Sequence, residues 1–298
     1  MTNDDRDPLD VDMRCVIDGR ELRYGTRGSG TPVLLVMGFM ARGRAWRSQI
    51  EALADRYQVV WFDHRGVGDS PGPAAKSMSE LARDAIALMD HLQWQRAHVI
   101  GISMGGMISQ ELAVTVPHRV ISLSLIVTHF GGVHRIIPTR KGIPRFLKAQ
   151  LARDPEQRLI ALRSLLVPPA ILEAAEREGK GDEIIEKLRE DFSPKPPKET
   201  RLSHVRAILR HNTRARLATL DCPTLVIQAK DDLLVNPKHS ESLAAAIPEA
   251  KLVSFSQAGH GLVRQSNINL NSVLASHLES SDLAQRDGER RAVEAEVS

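Results

Sequence analysis

Short apolar runs alternate along this chain with longer stretches in which apolar residues recur every three or four positions. Val33-Leu34-Leu35-Val36, Val59-Val60-Trp61-Phe62, Val99-Ile100, residues 123–127, Leu225-Val226-Ile227 and residues 251–255 are short and nearly continuous, and read as strands buried on both faces. Between them the spacing is helical, as at Met107-Ile108 with Leu112-Ala113. Alternation of this kind predicts an α/β fold, a mostly parallel sheet flanked by helices. Ahead of it, Cys15-Val16-Ile17 and Leu22-Arg23-Tyr24 flank Asp18-Gly19, a turn signal that predicts an antiparallel hairpin at the sheet edge. The strand count comes to about eight.

The alternation stops after Val127 and resumes at Thr224. In between, residues 146–151, 159–166, 171–175, 184–188 and 205–209 carry helical periodicity broken by prolines, notably Pro194-Lys195-Pro196-Pro197. So long an interval is no loop, and predicts a helical cap inserted into the α/β core. The core is then 11–131 and 213–280 and the cap 132–212, while the polar ends 1–10 and 281–298 read as mobile tails. Residues 133–217 hold 19 Lys and Arg against 11 Asp and Glu, a local charge of +8 in a chain of net +3. A solvated helical surface explains that excess, as does a lid that attracts anionic substrates.

Composition narrows the partners. With 298 residues, 42% of them hydrophobic, the chain can bury one large core. Its modest charge and lack of base-reading motifs exclude nucleic acid as the expected partner and leave a small molecule. Cys15 and Cys222 are far apart and have no metal-ligand spacing, which fits a reducing cytosol and neither a disulfide framework nor zinc. The acidic N-terminus lacks the basic start and apolar core of a secretory signal. No run approaches the roughly 20 apolar residues of a membrane span. A cytoplasmic location without membrane contact is therefore expected, and with no P-loop, dinucleotide fingerprint or metal cluster, no cofactor and no metal.

Residues 98–106, His-Val-Ile-Gly-Ile-Ser-Met-Gly-Gly, carry the chemistry. Gly101-Ile102-Ser103-Met104-Gly105 has the form G-x-S-x-G, in which a sharp strand-to-helix turn strains the central residue and exposes its hydroxyl at a helix N-terminus. A β-carbon at 101 or 105 would collide with the neighbouring strand or helix. A serine hydroxyl attacks poorly at neutral pH without a base, and the base needs an acid to fix its tautomer. Of the 11 histidines, His260 follows a strand within Gln257-Ala258-Gly259-His260-Gly261, where glycines let the ring swing over the sheet. His64 precedes the serine, in a structural turn, and is given a supporting role at most. His91, His118, His204, His239 and His277 read as solvent-facing. Asp231 and Asp232 both follow the strand at 224–228; Asp232, just before the apolar Leu233-Leu234-Val235 step, is preferred. The order Ser103, Asp232, His260 is that of nucleophile, acid and base in the α/β-hydrolase arrangement.

From about residue 14 to 279 the chain resembles the α/β-hydrolase superfamily. The matching pieces are residues 33–39, Phe62-Asp63-His64-Arg65-Gly66-Val67-Gly68-Asp69-Ser70, the turn at 101–105, Pro223-Thr224-Leu225-Val226-Ile227 leading to Asp232, and Ala258-Gly259-His260. Within it the chain is similar to small serine esterases, enol-lactonases, carbon–carbon hydrolases, cofactor-free haloperoxidases and the methylesterase branch. Met37 stands where most relatives have histidine, so a hydrogen bond that braces the next loop is expected to be missing. The resemblance implies an oxyanion hole built from the backbone N–H groups of Phe39 and Met104, each donor contributing on the order of 10²–10³ in rate. Phe39, Trp46, Met104 and His129 are expected to line the substrate pocket, although a core role for Phe39 and a helix-packing role for Trp46 stay open. The implied activity is hydrolysis of a carboxylic ester or lactone through an acyl-enzyme. Carbon–carbon bond hydrolysis, peroxidation or perhydrolysis, and a non-catalytic ligand-binding scaffold are the alternatives.

Overall fold

A computed structural model describes residues 9, 11–132, 138–265 and 268–297, with side chains described as far as residue 287. Strands β1 (Met13–Ile17) and β2 (Arg20–Arg27) form the expected hairpin. Asp18 and Gly19 both take left-handed backbone, φ 47° and 74°, as a two-residue turn matched to strand twist requires. The chain continues through β3 (Thr31–Val36), α1 (Arg47–Leu53), β4 (Tyr57–Phe62), α2 (Met78–His91), β5 (Ala97–Ile102), α3 (Met104–Thr115) and β6 (Val120–Ile126). Five helices follow: α4 (Gly142–Leu151), α5 (Pro155–Leu166), α6 (Pro169–Arg177), α7 (Gly181–Phe192) and α8 (Lys198–Arg210). The chain then completes the sheet with β7 (Thr224–Ala229), α9 (Pro237–Ala244), β8 (Lys251–Phe255) and α10 (Leu270–Val297).

The eight strands lie in the order β1-β2-β4-β3-β5-β6-β7-β8. The β1–β2 and β2–β4 pairings are antiparallel and the rest parallel. Period-two alternation divides each strand between two cores. Leu34, Val36, Val60 and Phe62 pack with Leu81, Leu88, Ile108 and Leu112 of α2 and α3, while Val33, Leu35, Val59 and Trp61 pack with Ile50 and Leu53 of α1 and Leu274 and Leu278 of α10. Each such side chain contributes roughly 1.5–3 kcal/mol on burial. α4, α5 and α7 hold a cluster of their own around Ala149, Leu159, Leu162, Leu166 and Leu188.

Three expectations need correction. The segment read as a tail from 281 continues α10, with Ser281 buried and donating to the His277 carbonyl at 2.7 Å and Asp282 Oδ1 standing 3.1 Å from His98 Nε2. At the other end residues 1–8 and 10 lie outside the described residues, but Leu9 is buried and its carbonyl accepts a 3.2 Å bond from Trp61 Nε1. His277, read as solvent-facing, is buried on α10, and burial pushes its pKa down to about 4.

Candidate active site

β5 is buried along its whole length and leads into Ser103, whose φ of 55° and ψ of −119° lie outside the ordinary regions for an L-residue. Strain of this kind costs on the order of 1–3 kcal/mol and needs support. Ser103 N–H donates to the Ile126 carbonyl at 2.9 Å, and the Thr128 hydroxyl donates to the Ser103 carbonyl at 2.7 Å, so β6 and the segment after it hold the turn from both sides. The glycines do what the motif requires. A β-carbon at Gly101 would stand 2.5 Å from the Gly105 carbonyl oxygen, and one at Gly105 would stand 2.6 Å from that of Met37.

Ser103 opens α3 without capping it, which leaves its hydroxyl available elsewhere. Ser103 Oγ lies 2.9 Å from His260 Nε2, and His260 Nδ1 lies 2.8 Å from Asp232 Oδ2. A carboxylate only accepts, so Nδ1 carries the ring proton and a neutral ring offers its Nε2 lone pair to the serine O–H. Asp232 is fixed through its other oxygen, which accepts from Leu234 N–H at 2.7 Å and Val235 N–H at 2.9 Å. Asp231 is exposed and its N–H is bound to the Ala258 carbonyl, so of the two aspartates it is Asp232 that reaches His260. The His260 loop is pinned by Gly259 N–H to Gln265 Oε1 at 2.8 Å and by Gly261 N–H to the Leu166 carbonyl of α5 at 2.9 Å.

Two backbone donors face no competing acceptor. Among the described residues the N–H groups of Gly38, Phe39 and Met40 make no hydrogen bond, and Met104, as the first residue of α3, has an N–H with no partner within the helix. Met40 turns this loop with φ 62°. The brace expected to be lost at Met37 comes from another side chain: His64 Nε2 lies 2.8 Å from the Met37 carbonyl, to which it can only donate. Burial lowers the His64 pKa, opposed by that bond and by Asp84, so the ring is neutral with its proton on Nε2. The turn carrying it is rigid, because the buried Asp63 carboxylate accepts from Gly43 N–H at 2.6 Å and Asp69 N–H at 2.9 Å, and Arg65 forks onto Asp84.

A cavity of about 530 Å³ opens over Ser103 and His260. Phe39, Met104 and His129 line it, beside Met37, Met107, Leu162, Leu166, Ile184 and Leu188. Trp46 does not. It is fully buried in the core with Ile50 and Leu53, while its neighbour Ala45 lines the cavity, because the 3₁₀ turn Gly43–Trp46 rotates about 120° per residue. The charged lining is balanced: Glu178, Glu183 and Asp191 against Lys180, Lys187 and Arg264, with Lys180 paired to Glu178 at 2.8 Å and Arg264 paired to Asp191. His204, expected to face solvent, does not. It is buried on α8 with its ring 6.3 Å from Phe39 and 6.4 Å from His64, and burial, then His64, pushes its pKa down to about 3. The signal was present in the helical spacing of the buried Thr200, His204 and Ala207. No group of three or more His, Cys, Asp or Glu among the described residues is placed to hold a metal ion.

Comparison with known proteins agrees with this fold. Residues 31–263 match the family described as alpha/beta hydrolase fold. The chain is 36% identical over 246 residues to a protein of Azorhizobium caulinodans named "Putative carbamate hydrolase RutD", covering 80% of this chain and 88% of that one. Its structure resembles the enol-lactonase from Burkholderia xenovorans (TM-score 0.76, 25% identity, 90% of this chain and 100% of that one). It also resembles a thermophilic esterase from Thermogutta terrifontis (TM-score 0.75, 26% identity, 90% and 99%). With the match running from β3 to the far side of the His260 loop, the chain belongs to the α/β-hydrolase family.

Proposed function

We propose that this α/β hydrolase is a serine hydrolase that cleaves a carboxylic ester or lactone of a small to medium, largely apolar molecule through an acyl-enzyme. The observation that carries the reading is the pair of hydrogen bonds joining Ser103 to His260 at 2.9 Å and His260 to Asp232 at 2.8 Å. Ser103 Oγ attacks the carbonyl carbon as its proton passes to His260 Nε2, and the imidazolium is held by the Asp232 carboxylate. Negative charge on the carbonyl oxygen is taken up by the N–H groups of Phe39 and Met104, fixed donors that need no rearrangement. The imidazolium protonates the leaving alkoxide; His260 then removes a proton from water, which attacks the acyl carbon and releases the acid and Ser103. Residues 132–212 act as the cap, their apolar side chains shaping the pocket. Cytoplasmic residence accords with the buried, free thiols of Cys15 and Cys222.

Similarity to the RutD protein supports a second reading, carbamate hydrolysis, since a carbamate offers the same triad a carbonyl flanked by nitrogen. A cavity of about 530 Å³ with walls such as Leu162, Leu166 and Leu188 suits an ester with a sizeable apolar group better than a minimal polar carbamate. Its balanced charges also give no net attraction to a carboxylate-tailed substrate of carbon–carbon hydrolysis. Purified protein should hydrolyse p-nitrophenyl esters faster than the matching carbamates. Ser103→Ala should lower ester turnover by at least about 10⁴-fold with the fold intact by circular dichroism. Wild-type turnover in Ser103→Ala would remove the nucleophile assignment.

A further inference from the structure

Two of the inserted helices, α4 and α8, carry exposed apolar side chains. On α4, Ile143, Leu147 and Leu151 recur every four residues and are 37%, 50% and 75% exposed; on α8, Leu202, Val205 and Leu209 form a second line at 45%, 38% and 52%. α4 already has an inward apolar side, with Ala149 buried in the helical cluster and Phe146 on the cavity wall. One apolar face packs a helix on its own protein, and a second needs another apolar medium.

Charge identifies that medium. Residues 133–153 contain six Lys and Arg and no Asp or Glu. Arg140, Lys141, Arg145, Lys148 and Arg153 form no ion pair among the described residues, and Lys141 and Lys148 are exposed. Unpaired cations beside exposed Leu and Ile match anionic headgroups above acyl chains. A second copy of this chain would instead set two cationic segments against each other, which repels. No described helix is long and apolar enough to cross a membrane, so the contact is peripheral. The expectation of no membrane contact rested on the lack of a span, which an interfacial helix does not need.

We propose that the exposed apolar stripe of α4, with the cations that flank it, docks on an anionic lipid surface and that the neighbouring cavity takes apolar ester from it. Phe146 and Gln150 of α4 line the same cavity as Val205 and Leu209 of α8, so the docking helix borders the site over Ser103. Delivery rests on the ester-hydrolase reading; docking does not.

The test is co-sedimentation of the full chain with vesicles of phosphatidylcholine alone or with phosphatidylglycerol added, at low and high salt. Binding should strengthen about tenfold or more with the anionic lipid and fall with salt. Leu147→Glu with Leu151→Glu should abolish it while leaving turnover of a soluble short-chain p-nitrophenyl ester unchanged, and Arg145→Glu with Lys148→Glu should weaken it about tenfold or more. Failure to bind anionic vesicles at low salt would overturn the proposal, as would binding indifferent to the leucine pair. A dimer that those leucine changes dissolve, without vesicle binding, would assign the face to a second copy and overturn it too. Vesicle binding without any ester turnover would support docking and overturn the ester reading.

Discussion

A carbonyl oxygen never donates, so the 2.8 Å contact from His64 Nε2 fixes both the ring's proton and the Met37 peptide. That peptide lies one unit before the Phe39 N–H, and its oxygen faces Gly105 at the start of α3. His64→Phe keeps an aromatic ring and removes the donor. It should lower kcat about 10–100-fold with KM nearly unchanged, because a displaced oxyanion donor is felt only in the transition state. His64→Gln, which still carries an N–H, should recover part of the loss; steady-state kinetics on one ester decides. The hydrogen-bonded trio Ser103, His260 and Asp232 was legible because each sits in a short run whose chemistry is local: glycines around 103 and 260, a strand end before 232. Trp46 and His204 were not, because their placement depends on which way a turn or helix faces once packed, and single-residue polarity misstates that.

Elements carried by period alone were read well: the edge hairpin, the parallel strands and all five helical stretches between β6 and β7 appear where apolar spacing put them. The end of α10 did not follow from composition. Its polar residues looked like a solvated tail, yet Ser281 and Asp282 continue the turn that follows Leu270, Leu274 and Leu278 and reach the buried His98. Truncation after residue 280 should therefore destabilise the protein by about 1–3 kcal/mol through the unpaired His98 nitrogen. Urea unfolding measures this; an unchanged midpoint would mean the segment contributes nothing.

Across the whole molecule, buried neutral histidines make stability fall in acid. His204 and His277 hold pKa values of about 3 and about 4 when folded, against about 6.5 for an ordinary histidine. Between pH 6.5 and 4 the unfolded chain binds more protons than the native one, so stability declines progressively as pH falls through that window and is fully present above it. Urea midpoints taken from pH 7.5 to 4 should drop accordingly, and a flat profile would contradict the burial of both rings. The cavity itself was beyond the sequence, since helices far apart in the chain converge on it only after the sheet has set the position of β6 and β7.

In the proposed mechanism Ser103 is the nucleophile. Rapid acid quench during turnover of a slowly deacylating p-nitrophenyl ester, followed by peptide mass mapping, reads it directly. The acyl mass should appear on the peptide containing Ser103, build up to about one group per chain in step with the burst of p-nitrophenol, and be absent in His260→Ala. Turnover at full rate with no adduct on that peptide would contradict it.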